Sequence, residues 1–161
     1  MEEPEFSRAK FLFFADHLNH PSLRQIVAYV MRKTGGRRLP RRSDIDPTEI
    51  PTLLPHIALI DVQQSPWQFR FRLIGTHITR ALGEDNTGRY FSDLPHGSFM
   101  PWLHVMCECC VAERRLQEIQ GDIHWAGRRR TQIEAFYLPM SSDGKTVDMI
   151  CAGADVRRTE S

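Results

Sequence analysis

The stretch IALIDVQQSPWQFRFRLIG, residues 57–75, decides the fold class. Its first six residues form a short run of β-branched and apolar side chains, and apolar and polar side chains alternate from Trp67 to Leu73. Short apolar runs and a period of two are typical of β-strands. Ser65 and Pro66, both common turn residues, lie between the two runs. The stretch therefore predicts an antiparallel β-hairpin.

The sequence on both sides of this hairpin predicts the rest of an α+β domain. Three more strands are expected at residues 121–125, 128–140 and 146–156, and Asp143-Gly144 is typical of the turn that closes the last hairpin. Helical spacing predicts an N-terminal helix over residues 6–33, a short helix over 76–83 and a long helix over 101–117. This order favours a five-stranded antiparallel sheet with helices packed on one face, plus an N-terminal helix.

The long helix contains three of the four cysteines, in HVMCECCVAERRL, residues 104–116. Successive residues of an α-helix are rotated by about 100° around its axis, and on this basis the apolar stripe occupies an arc about 120° wide. Cys107 lies on nearly the opposite side from Cys109, so the thiols diverge. Cys107 and Cys110 have the spacing of one zinc-binding pair, but no second pair follows, and we expect structural thiols and no metal site. The predicted stripe consists of Trp102, Val105, Met106, Cys109, Ala112 and Leu116.

Composition excludes several classes of function. The chain has 161 residues and a formal net charge of +1, so no net field attracts nucleic acid or an acidic membrane surface. Its apolar runs are shorter than the 18 or so residues of a membrane span. The first ten residues, MEEPEFSRAK, lack the pattern of a signal peptide. We therefore expect a cytoplasmic protein with free thiols.

No repeat or linker divides the chain, and we expect an N-terminal helical extension, residues 1–36, and one globular unit, residues 37–161. The globular unit begins with an arginine-rich loop that has two R-x-x-x-R spacings, which are similar to the first half of the PilZ cyclic-dinucleotide signature. The second half of that signature is missing, and the helix and strand order disagrees with its β-barrel. The favoured interpretation is a loop whose arginines, Arg37, Arg38, Arg41 and Arg42, pair with Asp44, Asp46 and Glu49.

Three motifs recur in an order that resembles a known family. They are R-LP-R-D-DP-E-LLPHI, then F-F-R-L-G-T-I-LG-D-TG, and then E-x-x-x-LPM at residues 134–140. Over roughly residues 24–155 the chain resembles a bacterial PAS-like family of single-domain proteins of unknown ligand. The resemblance implies a helix packed across a five-stranded sheet, with a small ligand or apolar side chains in the gap.

The candidate cleft lies between the sheet and the long helix. Some PAS domains bind haem through a histidine on this helix, but the predicted position of His104 is on the polar side, and no flavin-binding motif is present. The cofactor thus stays unknown. Arg72 and Glu134 are a candidate ion pair if their strands are neighbours, and Tyr137 offers a hydroxyl to a ligand. The candidate lining residues are Leu73, Ile78, Trp102, Met106, Cys109, Ile133, Ala135 and Tyr137.

Three functions fit this sequence. The favoured one is a sensory or regulatory domain that binds a small molecule and signals through a homodimer or a separate effector protein. Dimerisation is predicted from the apolar block FLFFADHL, residues 11–18. The first alternative is an interaction module whose core is filled by its own side chains. The second is a small enzyme acting in the same cleft. No signature of nucleophilic catalysis is present, so we expect no catalytic residues and no enzyme.

Overall fold

The structure is a computed structural model, and it describes residues 18–35, 38–94, 100–123 and 131–158. One antiparallel sheet has the strand order β2-β1-β5-β4-β3. Its strands are β1 (Ile57–Gln63), β2 (Gln68–Ile74), β3 (Gln117–Ile123), β4 (Thr131–Met140) and β5 (Met149–Arg158). The described α-helices are α1 (Pro21–Thr34), α2 (Thr76–Leu82) and α3 (Met100–Glu113). The α+β class and the five-stranded antiparallel sheet are confirmed.

The predicted hairpin forms from β1 and β2. Ile60 is opposite Phe71 and Val62 is opposite Phe69 in the antiparallel register. The side chains of Phe69 and Phe71 are buried on the face toward α3, whereas Leu73 at the end of the strand is 42% exposed. A register shift between Leu59 and Ile60 interrupts the regular pairing there.

Helix α3 packs on one face of the sheet. The side of the helix that contacts the sheet is not the predicted apolar stripe. Val105 is 42% exposed and Ala112 is exposed, although both were placed in the apolar stripe. Apolar residues occur all around this helix, so the spacing alone does not select the buried side. Contact with the sheet selects it instead, and among the described side chains of α3 the buried ones are Leu103, Met106, Cys107, Cys110 and Val111.

The end of α3 also corrects the sequence analysis. The helix ends at Glu113 rather than Gln117, and Arg114 has a positive φ of 54°. A left-handed residue ends a helix because the next residues can no longer continue its hydrogen bonds. The strand β3 then begins at Gln117, four residues before its predicted start, and pairs with β4 along its whole length.

Helix α1 covers the opposite face of the sheet. It begins at Pro21, where the His20 side chain accepts a hydrogen bond from the Ser22 N–H, and it ends at left-handed Gly35. Its side chains Leu23, Ile26 and Val30 recur three and four residues apart and are almost fully buried. The helix was expected to begin at residue 6, and residues 1–17 lie outside the described part of the chain.

The two faces of β4 are divided as its alternation predicts. Ala135 and Tyr137 belong to the core beneath α3, with Ile133 at its border. Phe136, Leu138 and Met140 belong to the core beneath α1. Both sheet faces are therefore buried, and the sheet carries a helix on each side.

Local ion pairs stabilise the arginine-rich loop. Arg38 forms an ion pair of the kind that the favoured interpretation predicts for the loop arginines. Both terminal nitrogens of Arg38 donate to the two carboxylate oxygens of Asp44, at 2.8 and 3.0 Å. The guanidinium of Arg38 lowers the pKa of the Asp44 carboxyl. Glu49 instead accepts from Lys33 and the Tyr29 hydroxyl, and Asp46 accepts from Thr48. Arg37 lies outside the described residues.

Candidate functional site

The structure brings together five of the eight residues predicted to line a cleft. Ile78, Met106, Ala135 and Tyr137 are buried in the core beneath α3, and Ile133 packs at its edge. The exposed side chain of Leu73 is not part of this core, and Cys109 is half-buried on α3. The side chain of Trp102 lies outside the described part of the chain. Whether these residues bind a ligand stays a prediction.

The thiols and the phenol in this core are kept in their neutral forms. Burial raises the pKa of Cys107, Cys110 and Tyr137 well above the ordinary values, because the apolar surroundings disfavour a thiolate or phenolate. Cys151 lies on the opposite face of the sheet, and burial raises its pKa to about 12. A thiol must ionise to attack a substrate or ligate zinc, so these buried groups are suited to packing.

His104 lies on the partly exposed side of α3. Its Nε2 is 2.6 Å from an oxygen of Glu108, one turn further along the helix. Its ring meets the ring of Phe69 edge-on, with 5.2 Å between the centroids. His104 is therefore half-buried at the border of the α3 core and not on a fully polar side, because α3 packs on the sheet with a different side from the predicted one.

Arg72 and Glu134 are not paired. Strands β1 and β5 separate their strands β2 and β4 in the sheet. Arg72 contacts Asp61 on the neighbouring strand, at 3.3 Å, and Asp61 also accepts from Arg70 at 2.8 Å. Glu134 lies on the face toward α1, where its Oε1 accepts the backbone N–H groups of Asn19 and His20. The predicted pair was wrong because strand order cannot be read from the local sequence.

Two histidines meet where the turn before β1 contacts the start of α2. Gly75, which precedes α2, donates its N–H to the Ile57 carbonyl at 2.7 Å. A Cβ atom on Gly75 would lie only 2.4 Å from the carbonyl oxygens of Leu54 and Pro55. The missing side chain therefore permits this close approach, and the rings of His56 and His77 lie with their centroids 4.3 Å apart.

These two imidazoles bond to the edge of β5 beyond the start of β1. The Nδ1 of His56 is 3.1 Å from the Ala154 carbonyl oxygen, and the Val156 N–H donates to Nε2 of His77 at 3.2 Å. A carbonyl oxygen only accepts, so Nδ1 of His56 carries a proton, and in the neutral ring the lone pair is then on Nε2. The Val156 bond likewise places a lone pair on Nε2 of His77.

Asp155, on β5 between these two contacts, is the anionic centre of the cluster. Its side chain is 9% exposed, and its Oδ1 lies 3.3 Å from Nε2 of His77 and 3.5 Å from Nε2 of His20. Its Oδ2 accepts from Nε of Arg157 at 2.8 Å. We call His20, His56, His77 and Asp155 the histidine cluster.

The histidine cluster favours neutral imidazole at His77. Desolvation lowers the pKa of His77, the neighbouring His56 lowers it further, and Asp155 opposes this shift. One possible ligand atom from each of His56, His77 and Asp155 lies within 4.8 Å of the other two. Neutral imidazole and carboxylate are both metal ligands, so these three residues could hold a metal ion.

A cavity of about 480 Å³ adjoins the cluster on the α1 side of the sheet. Its walls are the start of α1 and the ends of three strands, and it lies mainly on the α1 face, whereas the predicted cleft lies beneath α3. Ile133, one of the predicted cleft residues, also borders this cavity. Ligand pockets are commonly about 300–1,000 Å³ in volume. The lining residues are Asn19, His20, Pro21, Gln120, Gly121, Gln132, Ile133, Glu134, Asp155 and Arg157.

A family profile described as PAS domain matches residues 18–153. The chain belongs to the PAS domain family. The match begins just before α1 and ends within β5, so it includes the helix on the second face as well as α3 and most of the sheet. PAS domains are sensory, regulatory or interaction modules and are generally not enzymes. No curated protein matches this chain in a sequence comparison.

None of the helices in the described ranges of this PAS protein is long and apolar enough to span a membrane. The division of the chain at residue 36 stays a prediction. The cavity and the histidine cluster were missed by the sequence analysis. Residues 20, 56, 77 and 155 have no characteristic spacing, and only the folded chain brings them together.

Proposed function

We propose that this PAS domain is a sensory or regulatory module that binds a small polar molecule in the cavity beside α1. The observation that carries the proposal is the position of Asn19 and His20. These residues form part of the cavity wall and also lead into α1. A molecule bound there contacts the sheet and the start of this helix together.

The anchoring of α1 supports a signal that passes through this helix. Glu134 in the sheet accepts two backbone N–H groups from the residues before α1, and Asp155 contacts His20. A ligand that competes for either carboxylate would shift the balance between docked and released forms of the helix start. A ligand moves such an equilibrium only by its difference in affinity for the two forms.

The output would be a contact with another copy of the chain or with a separate effector protein. The apolar block at residues 11–18 directly precedes the cavity residues, and its last residue, Leu18, packs in the core beneath α1. We propose a homodimer formed through this N-terminal region, acting in the cytoplasm. A mass in light scattering that stays monomeric at every concentration would refute the dimer.

The test of ligand binding is native mass spectrometry of freshly purified protein, compared with the same sample after denaturation. We expect an extra mass that is lost on denaturation and is reduced in the Gln132→Leu variant. Gln68→Leu is the matched control, because Gln68 is also an exposed strand glutamine but lies outside the cavity lining. An absorbance scan of the same sample detects haem or flavin.

Two other results would change the proposal. An extra mass that persists in Gln132→Leu but is lost in Tyr137→Phe would locate the ligand beneath α3, among the residues that the sequence predicts. Bare protein mass in every sample would refute ligand binding by the purified chain.

An interaction module without a ligand is the second candidate. The fully buried side chains Met106, Cys107 and Cys110 pack the core between α3 and the sheet, which favours a filled interior on that side. This candidate predicts bare mass together with a stable complex or dimer in light scattering.

A further inference from the structure

The geometry points to a divalent transition-metal site formed by His56, His77 and Asp155, a site of the zinc class. The three residues come from the turn before β1, from α2 and from β5. This inference does not depend on the proposed small-molecule ligand, because it rests on the distances among these three residues themselves.

The first argument is the separation of the ligand atoms. Ligands bound at about 2.0–2.2 Å to a tetrahedral ion lie about 3.3–3.6 Å from one another. Nε2 of His77 is 3.3 Å from Oδ1 of Asp155. His56 completes a group whose ligand atoms are all within 4.8 Å of each other. Side-chain rotations that move these ligand atoms by a few tenths of an ångström to about 1 Å would bring them to the separations of a tetrahedral site.

The second argument is that hydrogen-bond acceptors face each other. Nε2 of His77 accepts the Val156 N–H, so it presents no proton to the carboxylate oxygen 3.3 Å away. Two acceptors at that distance repel unless a proton or another cation lies between them. A metal ion relieves the same repulsion and binds neutral imidazole.

Metal binding would require the loss of the hydrogen bond from the Val156 N–H to His77. At 3.2 Å it is at the long end of the N–H···O and N–H···N range, and a metal on Nε2 would replace it. A purely structural role explains why His56 and His77 contact the strand edge. It does not explain why Asp155 is aimed at His77.

Two neighbours support the ligands without binding the ion. The Nδ1–H of His56 donates to the Ala154 carbonyl, which fixes the ring with its lone pair on Nε2, a common arrangement for metal-binding histidines. Nδ1 of His20 accepts the Ser22 N–H, so the neutral ring of His20 has its proton on Nε2 and directs it toward Asp155. His20 is therefore a positioning residue for the carboxylate.

The ligand set selects the class of metal. Two imidazole nitrogens and one carboxylate oxygen suit zinc, cobalt, nickel or iron in the divalent state better than magnesium or calcium, which prefer all-oxygen sites. Three protein ligands leave one position of a tetrahedral ion for water or another molecule. Because Asp155 also lines the cavity, an ion bound to it lies beside the proposed ligand site.

The test is titration of the full chain with Zn²⁺ after treatment with a chelator, followed by calorimetry and native mass spectrometry. We expect one Zn²⁺ per chain, a visible Co²⁺ spectrum typical of four-coordination, and a higher melting temperature with excess Zn²⁺. His56→Gln and His77→Gln should each weaken binding at least about tenfold. Glutamine can still donate to Ala154 or accept from Val156, so both variants keep the strand-edge bonds.

The control variant is His104→Gln, which removes a histidine that also has a carboxylate partner but lies on α3. It should bind Zn²⁺ like the parent protein. Asp155→Asn, with circular dichroism to check its fold, is a third variant and should also lose binding. Lack of Zn²⁺ and Co²⁺ binding by the parent, or unchanged binding in both glutamine variants, would overturn the inference. Neither result depends on the small-molecule ligand, whose test uses Gln132→Leu.

Discussion

The ring of Phe136 lies over Gly153, its partner on the neighbouring strand. The two residues are directly opposite in the pairing of β4 with β5, and Phe136 is fully buried. A Cβ atom on Gly153 would be 2.2 Å from Cε1 of this ring, far inside van der Waals contact. The core beneath α1 therefore depends on a residue without a side chain in the middle of β5.

We expect Gly153→Ala to lower the free energy of unfolding by about 1–3 kcal/mol, the usual cost of inserting atoms into a packed core. Urea unfolding measures it. Phe136→Leu removes the ring edge, so the double variant should be less unstable than the sum of the single variants. Gly121→Ala is the control, because a Cβ there has no neighbour within 4 Å. Equal effects of the two alanine substitutions would contradict the steric explanation.

Glu134→Gln tests the anchoring of α1. Glutamine keeps an oxygen that accepts from Asn19 and His20 but loses the negative charge, and charged hydrogen bonds are stronger than neutral ones. We expect a loss of about 1–2 kcal/mol in unfolding free energy and faster hydrogen exchange at the start of α1. Glu84→Gln, at an exposed carboxylate 3.7 Å from Arg89, should change stability by less than about 0.5 kcal/mol. Unchanged exchange in Glu134→Gln would show that the charge does not hold the helix.

The cysteines should differ strongly in reactivity. Cys107, Cys110 and Cys151 are buried with raised pKa values, whereas Cys109 is half-buried. Because alkylation requires an accessible thiolate, native protein treated with iodoacetamide should be modified first at Cys109. Peptide mass spectrometry gives the order, and all four thiols should react in denaturant. Rapid modification of Cys107 in native protein would mean that the core beneath α3 opens readily.

Asp143 should make the last hairpin sensitive to acid. Its carboxylate accepts the N–H groups of Lys145 and Thr146 and the Ser141 hydroxyl, which lowers its pKa from 3.8 to about 2. A lowered pKa in the folded state means that the stabilisation is complete above pH 3.8 and is lost as the pH falls toward 2. Asn cannot ionise, so the stability difference between the parent and Asp143→Asn should shrink over this range. Denaturant unfolding at several pH values measures it, and a constant difference would disprove the prediction.

Local chemistry was sufficient to predict the elements of this fold. The alternation in β2 and β4, the turn at Asp143-Gly144 and the glycines after α1 and α2 act over a few residues, so their effects are visible in the sequence. The exact end of α3 was not visible, because left-handed Arg114 is not a glycine. The side of α3 that is buried could not be predicted either, because the apolar residues of this helix are spread around its circumference.

The sequence by itself determined that five strands form, together with the hairpins, the two faces of β4 and the family resemblance, because these depend on near neighbours and on motif order. It did not determine where β3 begins. Only the tertiary structure decided that β1 and β5 separate Arg72 from Glu134, and that Glu134 instead holds the start of α1. It also decided that His56, His77 and Asp155 converge. Strand order and helix docking depend on the packing of the whole chain, and no local pattern encodes distances between residues so far apart in sequence.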